Sequence, residues 1–173
     1  MQSNHVNPTA PHLTASRLLI VADWTVDPDR VVAAARHRRK ATELGLVVPA
    51  RLHGLDWAGD PGASCPCAQR QLEAIERLAA AAGLRLALAQ VGDPDTLAAI
   101  GDALKDWPAQ ELLVCERQRF VGMRHAFDLP SRARRQTGVP VERLVLPPAR
   151  NGDGRRGLLP VRRGHCELPA QAA

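Results

Sequence analysis

The sequence predicts an α/β protein built around a parallel five-stranded sheet, and two patterns in the chain lead to this prediction. Short apolar runs alternate with segments in which apolar residues recur every three or four positions, so strands alternate with helices. Strands separated by helices imply a parallel sheet with right-handed crossovers and helices on both faces. The runs 18–22 and 112–114 are apolar throughout, as strands covered on both faces must be. The expected architecture is therefore a Rossmann-like three-layer sandwich.

Five strands and four helices follow from these patterns. The predicted strands, each rich in apolar residues, are 17–22, 46–50, 84–91, 111–115 and 139–146, and the predicted helices are 28–44, 67–82, 94–107 and 129–136. Three helix starts are marked by an aspartate that can cap the first turn, close to a proline: Asp27, Asp93 and Asp128.

Residues that stop helices mark the other ends. We expect glycine to end the first, second and fourth helices, at Gly45, Gly83 and Gly138, and Pro108 to end the third. Between these signals, apolar residues share one face of each helix, which is the face that packs on the sheet. The second and third helices show this best, with Leu72, Ile75, Ala79 and Ala82, and with Leu97, Ile100, Leu104 and Trp107.

Charge and aromatic content narrow the class of protein. In 173 residues, 23 Lys+Arg face 18 Asp+Glu, giving a net charge of +5, and aromatic residues make up 3%. So few rings count against modules that stack bases on exposed aromatics, so nucleic acid is not an expected partner. No apolar run is long enough to span a bilayer, and residues 1–16 do not resemble a secretory signal. We therefore expect a cytoplasmic protein without a membrane anchor.

The two ends of the chain lack the periodicity of the middle. Residues 1–16 are predicted to be a flexible arm and residues 147–173 a disordered tail rich in Arg, Gly and Pro, leaving one domain at 17–146. The tail holds +3 of the net charge. A solubilising tail is the favoured interpretation, and salt-dependent binding of nucleic acid is the alternative.

Cysteines and histidines give no clear catalytic or metal site. The thiols of Cys65, Cys67, Cys115 and Cys166 should be reduced in the cytoplasm. Cys65-Pro66-Cys67 lacks a second ligand pair at the spacing of zinc sites, so a polar loop with two thiols is favoured. Cys115 ends an apolar run and is expected to be buried. No Ser-His-Asp or Cys-His arrangement can be located from spacing, so an enzyme is not the leading expectation.

Four passages of the predicted domain together follow the pattern of a known family. They are Val21-Ala22-Asp23 at the end of the first strand, Gly83 to Pro94, Ala98-Ala99-Ile100 leading through Trp107-Pro108 to Glu111–Val114, and Thr137 to Val141 before the last strand. In these passages residues 17–146 resemble the universal stress protein family, which lies within the larger group of adenine-nucleotide α/β domains. The resemblance implies the strand order 3-2-1-4-5 and a homodimer, formed in many members through the fifth strand.

The chain departs from this family in the segment that holds nucleotide phosphates. Nucleotide-binding members carry G-x2-G-x9-G-[ST] after strand four, where amides and a hydroxyl at a helix N-terminus bind the phosphates. In this chain Gly122 is present, but the other glycines of that motif are missing after strand four. Pro130 also removes a backbone amide donor beside Ser131. Trp24 follows the first strand and could fill the adenine space. We therefore expect no ATP binding in the usual mode.

A ligand site is nevertheless predicted at the carboxyl ends of strands one and four, where the implied strand order reverses. There, arginines could bind phosphate and an aspartate could accept a ribose hydroxyl or an amine. The favoured alternative is that the aspartate caps a turn and the arginines are solvated. The candidate ligand-binding residues are Asp23, Trp24, Thr25, Val48, Glu116, Arg117, Arg119, Gly122 and Ser131.

Three functional hypotheses follow. The leading one is a non-enzymatic regulatory or stress-response domain of the universal-stress-protein kind, homodimeric and not binding ATP in the usual mode. The second is a divergent member that binds ATP or another adenine nucleotide in the crevice between strands one and four. The third is a basic interaction module that acts through its Arg-rich tail on a protein partner or on nucleic acid.

Overall fold

The computed structural model describes residues 16–38, 43–51, 65–117 and 129–146, which form five strands and four helices in alternation. Their bounds are β1 (Arg17–Ala22), α1 (Pro28–His37), β2 (Glu43–Pro49), α2 (Cys65–Ala81), β3 (Leu86–Gly92), α3 (Thr96–Asp106), β4 (Glu111–Arg117), α4 (Leu129–Thr137) and β5 (Val141–Leu146). These strands form one parallel sheet in the order β3-β2-β1-β4-β5. The predicted Rossmann-like three-layer α/β fold and its implied strand order are confirmed.

Two apolar layers cover the sheet, one on each face. Helices α1 and α2 pack on one face, over side chains that include Leu18, Ile20 and Leu46. Helices α3 and α4 pack on the other face, over Leu19 and Val21. Successive residues of β1 point to opposite faces, so a strand at the centre of the sheet must be apolar at every position. This is why the first apolar run indicates a buried strand so clearly.

Helix α1 is shorter than the sequence predicts. It begins at Pro28, as expected, with Asp27 as its N-cap. It ends at His37, whereas the prediction extended it to Leu44 and ended it at Gly45; those two residues lie in β2. Pairing of β2 with β1 already begins at Glu43, so sheet formation overrides the local preference for a longer helix.

Other boundaries also differ from the prediction. Helix α3 begins at Thr96, and the carboxylate of Asp95 caps it at 2.8 Å from a first-turn amide, so the cap is not Asp93. Strand β4 continues beyond Cys115 to Arg117, because its last residues pair with the end of β5. The starts of α2, β3 and β5 each shift by two residues, which is the usual uncertainty of a boundary.

The two outer strands of the sheet differ in their regularity. Strand β3 pairs Leu86 with Leu44 and Leu88 with Gly45, so Ala87 is an extra residue that forms a bulge. A bulge disrupts the hydrogen-bonding edge and discourages pairing with another chain. Strand β5 pairs with β4 without a register shift, and Val145 on it is 46% exposed.

Several sequence predictions lie outside the described residues. These are the arm, apart from Ser16, and the whole tail at 147–173. None of the described helices is both long and apolar enough to cross a bilayer. Among the described cysteines, Cys67 and Cys115 form no disulfide.

Candidate functional site

The carboxyl ends of β1 and β4 meet where the strand order changes direction. The chain passes from β1 to β2 on one side of the sheet, whereas β4 lies on the other side of β1. Pairing of β1 with β4 extends to Ala22 and Cys115, and the backbone N–H of Asp23 donates to the Cys115 carbonyl at 3.2 Å. Parallel α/β sheets bind ligands at such a point, so we refer to this place as the β1/β4 crevice.

Asp23 lies in this crevice with both of its carboxylate oxygens bonded. Oδ1 accepts hydrogen bonds from Thr25 N at 2.9 Å and from Thr25 Oγ1 at 2.8 Å. Oδ2 accepts a bond from Arg51 Nη1 at 3.3 Å. Asp23 is 8% exposed, and bonds between charged groups are strengthened away from water. The carboxylate therefore closes the turn after β1 and holds it to the chain after β2.

Trp24 lies on the α1/α2 side of the sheet. Its indole Nε1 donates to the Arg51 backbone carbonyl at 3.2 Å, and its ring packs against the apolar cluster under α1 and α2. Trp24 does not line the cavity between β1 and β4. The ring joins the loops after β1 and β2, so a ligand between β1 and β4 would not compete with it for space.

The charged end of β4 lies on the other side of the crevice. Glu116 lines the cavity, and its Oε2 accepts a bond from Arg143 Nε on β5 at 2.8 Å. Arg117 is the last residue of β4 and is half-buried. Glu116 is therefore ion-paired with β5. Its negative charge in the cavity also disfavours a phosphate there, because a phosphate binds best where the net charge is positive.

The remaining predicted site residues are dispersed or not described. Val48 is fully buried among the side chains under α1 and α2, so it offers no atom to a ligand in the crevice. Ser131 lies exposed in the first turn of α4 and does not line the cavity. Arg119 and Gly122 lie outside the described residues.

The cavity in the crevice is small. Its volume is about 10 Å³, close to the space of one water molecule. Small-molecule sites usually occupy about 300 to 1,000 Å³. The described residues that line it are Val21, Asp23, Pro49, Arg51, Thr96, Val114, Cys115, Glu116 and Leu129.

Three residues that line the cavity and could contact a ligand were not predicted from the sequence. Arg51 lies close after the carboxyl end of β2, as Asp23 lies directly after that of β1, so the order of elements could have indicated it. Thr96 and Leu129 are the first residues of α3 and α4, and both helices begin at this edge of the sheet. Each of the three lies at an element boundary, which is where sequence patterns are least exact.

Cys115 also lines the crevice, and burial suppresses the reactivity of its thiol. Desolvation raises the pKa of its thiol to about 12, while the positive charge of Arg38 acts in the opposite direction. The thiolate form, which is the nucleophile, is therefore negligible near neutral pH. Within the described ranges, no three His, Cys, Asp or Glu side chains are placed to hold a metal ion. The crevice thus presents charged and hydrogen-bonding groups to a ligand, and none of the described residues in it is an activated nucleophile.

Comparison with known proteins does not assign the chain to a family. No protein-family model matches this chain, and no curated protein matches it significantly. The fold and the geometry of the crevice are therefore the observations on which a functional assignment rests.

Proposed function

We propose that the chain is a non-enzymatic regulatory domain of the universal-stress-protein kind, which acts in the cytoplasm and does not bind ATP in that family's usual mode. The observation that carries the proposal is the state of the β1/β4 crevice. Asp23 is bonded by Thr25 and Arg51, and the cavity beside it holds about 10 Å³. A bound nucleotide would have to break the bond between Asp23 and Arg51 and open the crevice first.

The sheet supports the resemblance on which this proposal draws. Its order, β3-β2-β1-β4-β5, is the one that the resemblance implies. A regulatory role also requires a surface for assembly, and we propose a homodimer formed through β5. This strand lies at one end of the sheet, pairs regularly with β4 and exposes Val145, whereas β3 at the other end is bulged.

A divergent nucleotide-binding domain is the second candidate, and one feature of the crevice favours it. Arg51 lies beside the first residues of α3 and α4, Thr96 and Leu129, so a guanidinium and two helix starts share one small volume. Phosphate binds well to such a combination of charge and backbone amides. In this mode Arg51 would leave Asp23 for the ligand. The third candidate, an interaction module that uses the Arg-rich tail, concerns residues 147–173, so deleting them is its test.

The experiment that tests the first candidate against the second compares the wild type with Arg51→Ala. Nucleotide carried through purification is measured by absorbance ratio and by chromatography of the denatured supernatant. Thermal shifts are then recorded with ATP, ADP, AMP and cyclic dinucleotides at millimolar concentration, and native mass spectrometry reports the oligomer. We expect no carried nucleotide, a dimer, and the same nucleotide response from both proteins. A nucleotide that copurifies, or that raises the melting temperature of the wild type but not of the variant, would favour the second candidate.

A further inference from the structure

An ion pair connects the β1/β4 crevice with β5, the strand at one end of the sheet. Glu116 lines the crevice, and its carboxylate accepts the bond from Arg143 Nε at 2.8 Å. The side chain of Glu116 is 22% exposed, whereas that of Arg143 is 55% exposed. The arginine therefore reaches from the edge strand toward the crevice. In a single copy of the chain, an ion pair with this much exposure contributes little to stability.

Both charges lie on the face of the sheet that α3 and α4 cover. Glu116 lies two positions after Val114, which packs in the apolar cluster on that face. Arg143 likewise lies two positions after Val141, which packs against the same cluster. Helix α4 packs against β5 and carries three arginines and no acidic residue. The described charges of α4 and of this face of β5 are thus all positive, so the Glu116 carboxylate is what neutralises Arg143.

The proposed homodimer brings two copies of Arg143 close together. When two β5 strands pair antiparallel about a two-fold axis at Leu144, the two Arg143 side chains are diagonal neighbours on one face, about 7–8 Å apart. When the axis passes at Arg143, they lie directly opposite each other. In both registers, two like charges meet at the strand pair, and like charges so placed destabilise it unless each is neutralised within its own chain.

We propose that Glu116 makes assembly at β5 depend on the crevice, because its carboxylate neutralises Arg143 where two copies meet. This inference rests on the homodimer of the proposed function and names the residue that regulates it. While Glu116 holds Arg143, the edge presents a neutral ion pair beside the exposed Val145. When the charge of Glu116 is lost, the two arginines repel each other and the dimer weakens. By linkage, formation of the dimer strengthens the Glu116–Arg143 pair to the same extent.

The test measures the dimer Kd of the full chain by analytical ultracentrifugation. The wild type, Glu116→Gln, Arg143→Gln and the variant with both changes are compared after thermal melts show that each is folded. We expect the Kd to rise about tenfold in Glu116→Gln, a typical coupling between two sites. Arg143→Gln, alone or with Glu116→Gln, should leave the Kd within about threefold of the wild type, because the repelling charges are gone.

Salt provides a readout that a merely structural role of Glu116 would not change. At about 1 M salt the screening length is about 3 Å, which is shorter than the separation of the two arginines. The effect of Glu116→Gln on the Kd should therefore shrink. If this variant does not fold, the charge-exchanged variant Glu116→Arg with Arg143→Glu takes its place, and it should retain the dimer because each chain keeps its ion pair.

Glu43→Gln is the matched control. Glu43 accepts a bond from Arg17 Nε at 2.6 Å, so this substitution also breaks an ion pair on the sheet. Strands β1 and β4 lie between β2 and β5, so the change is far from the proposed dimer contact. We expect the dimer Kd to change less than about twofold in Glu43→Gln.

Four results would overturn the inference. A dimeric wild type whose Kd is unchanged in Glu116→Gln leaves the homodimer standing and removes the role of Glu116. A double variant as weak as Glu116→Gln shows that Glu116 does not act by neutralising Arg143. A wild type that is monomeric, or a dimer that survives Val145→Asp, shows that assembly through β5 is itself wrong, and the inference falls with it.

Discussion

The ring of Trp107 occupies the space that a side chain at position 45 would need. A Cβ atom built on Gly45 lies 2.7 Å from Trp107 Cζ3 and 2.9 Å from Cε3, which are distances that real Cβ atoms do not adopt. Trp107 follows the end of α3, and Gly45 lies within β2, so this contact fixes the helix on the sheet. The Arg17 guanidinium lies 5.5 Å from the centroid of the same ring and adds a cation–π contact.

Replacing Gly45 by alanine should therefore destabilise the fold. The added methyl group overlaps the Trp107 ring and approaches Leu19 Cδ1 at 3.1 Å, so the core must shift to accommodate it. Overpacking of this kind costs about 1–3 kcal/mol. The free energy of unfolding, measured by urea denaturation, should fall by that amount in Gly45→Ala.

Gly101 provides the control for this substitution. It lies within α3, and a Cβ atom built there meets nothing within 4 Å. Alanine is favoured over glycine inside a helix, so Gly101→Ala should stabilise the protein by about 0.5–1 kcal/mol. A Gly45→Ala protein with the denaturation midpoint of the wild type would contradict the packing argument.

Asp23 should contribute to stability through the loop bonds that it accepts. In Asp23→Asn the charge facing Arg51 is lost and the side chain can no longer satisfy Thr25 and Arg51 together, so we expect a loss of about 1–3 kcal/mol. Asp27→Asn is the matched control, because asparagine caps a helix about as well as aspartate does. Equal unfolding free energies for the two variants would show that Asp23 does not hold the two loops together.

Charge on β5 should prevent the proposed dimer. We expect β5 to pair antiparallel with β5 of a second copy, related to it by a two-fold axis. If the axis passes at Leu144, Arg143 lies opposite the aliphatic Val145 of the other copy. If it passes at Arg143, the two arginines lie opposite each other, and like charges in that position are unfavourable. The first register is thus the favoured one. Val145→Asp should then give a monomer in native mass spectrometry and light scattering.

The bulged strand at the other end of the sheet offers the comparison. Ala87→Asp adds the same charge to β3, where Ala87 is exposed, and should leave the dimer unchanged. If Ala87→Asp dissociates the dimer while Val145→Asp does not, assembly through β5 is wrong.

The ion pair between Arg38 and Glu142 should make stability depend on pH in the acidic range. Arg38 Nη2 donates to Glu142 Oε1, and this bond lowers the pKa of the Glu142 carboxyl below its ordinary value of 4.5, while slight burial opposes the shift. A carboxyl whose pKa is lower in the folded state stabilises the protein above its unfolded pKa, and this stabilisation is lost as pH falls through the folded value. Glu142 is exposed and Arg38 is half-buried, so Glu142→Gln should cost less than about 1 kcal/mol at neutral pH.

The difference between wild type and Glu142→Gln should therefore shrink as the pH is lowered below 4.5. Denaturant titrations from neutral pH to about pH 3 measure it. Glu76→Gln serves as reference, since Glu76 is exposed on α2 and no ion pair joins it to a described residue. A difference that grows on acidification would reverse the sign and contradict the assignment.

Cys115 should resist thiol reagents in the folded protein. Its pKa of about 12 leaves roughly one thiol in ten thousand ionised at pH 8, and the side chain is buried. A protein that retains Cys115 alone should react with a chromogenic disulfide only as fast as it unfolds, and denaturant should accelerate the reaction by orders of magnitude. A protein that retains only the half-buried Cys67 is the comparison, and equal rates for both would refute this prediction.

Part of the candidate site could be predicted from the sequence, since Asp23 and Glu116 are the predicted residues that line the cavity within the described part of the chain. The prediction of Asp23 combines the order of elements with the strand order that the resemblance implies, because the residue after a central strand lies at the edge of the sheet. The bond from Arg51 depends on a residue 28 positions away, brought there by the pairing of β2 with β1. The orientation of Trp24 toward α1 and α2 likewise depends on the Arg51 carbonyl, so the sequence could not reveal it.

The fold class could be predicted from the amino-acid sequence, because periodicity of apolar residues is a local signal. Runs such as 18–22 indicate buried strands without knowledge of their partners. The start of β2 and the need for glycine at position 45 depend instead on contacts between residues that are distant in sequence. Locally, that residue resembles a helix stop, but its lack of a side chain makes room for Trp107, which is distant in sequence. Contacts between residues distant in sequence contribute more free energy than the local helix preference does, so they determine where α1 ends and β2 begins. Close packing of such residues also sets the small volume of the crevice.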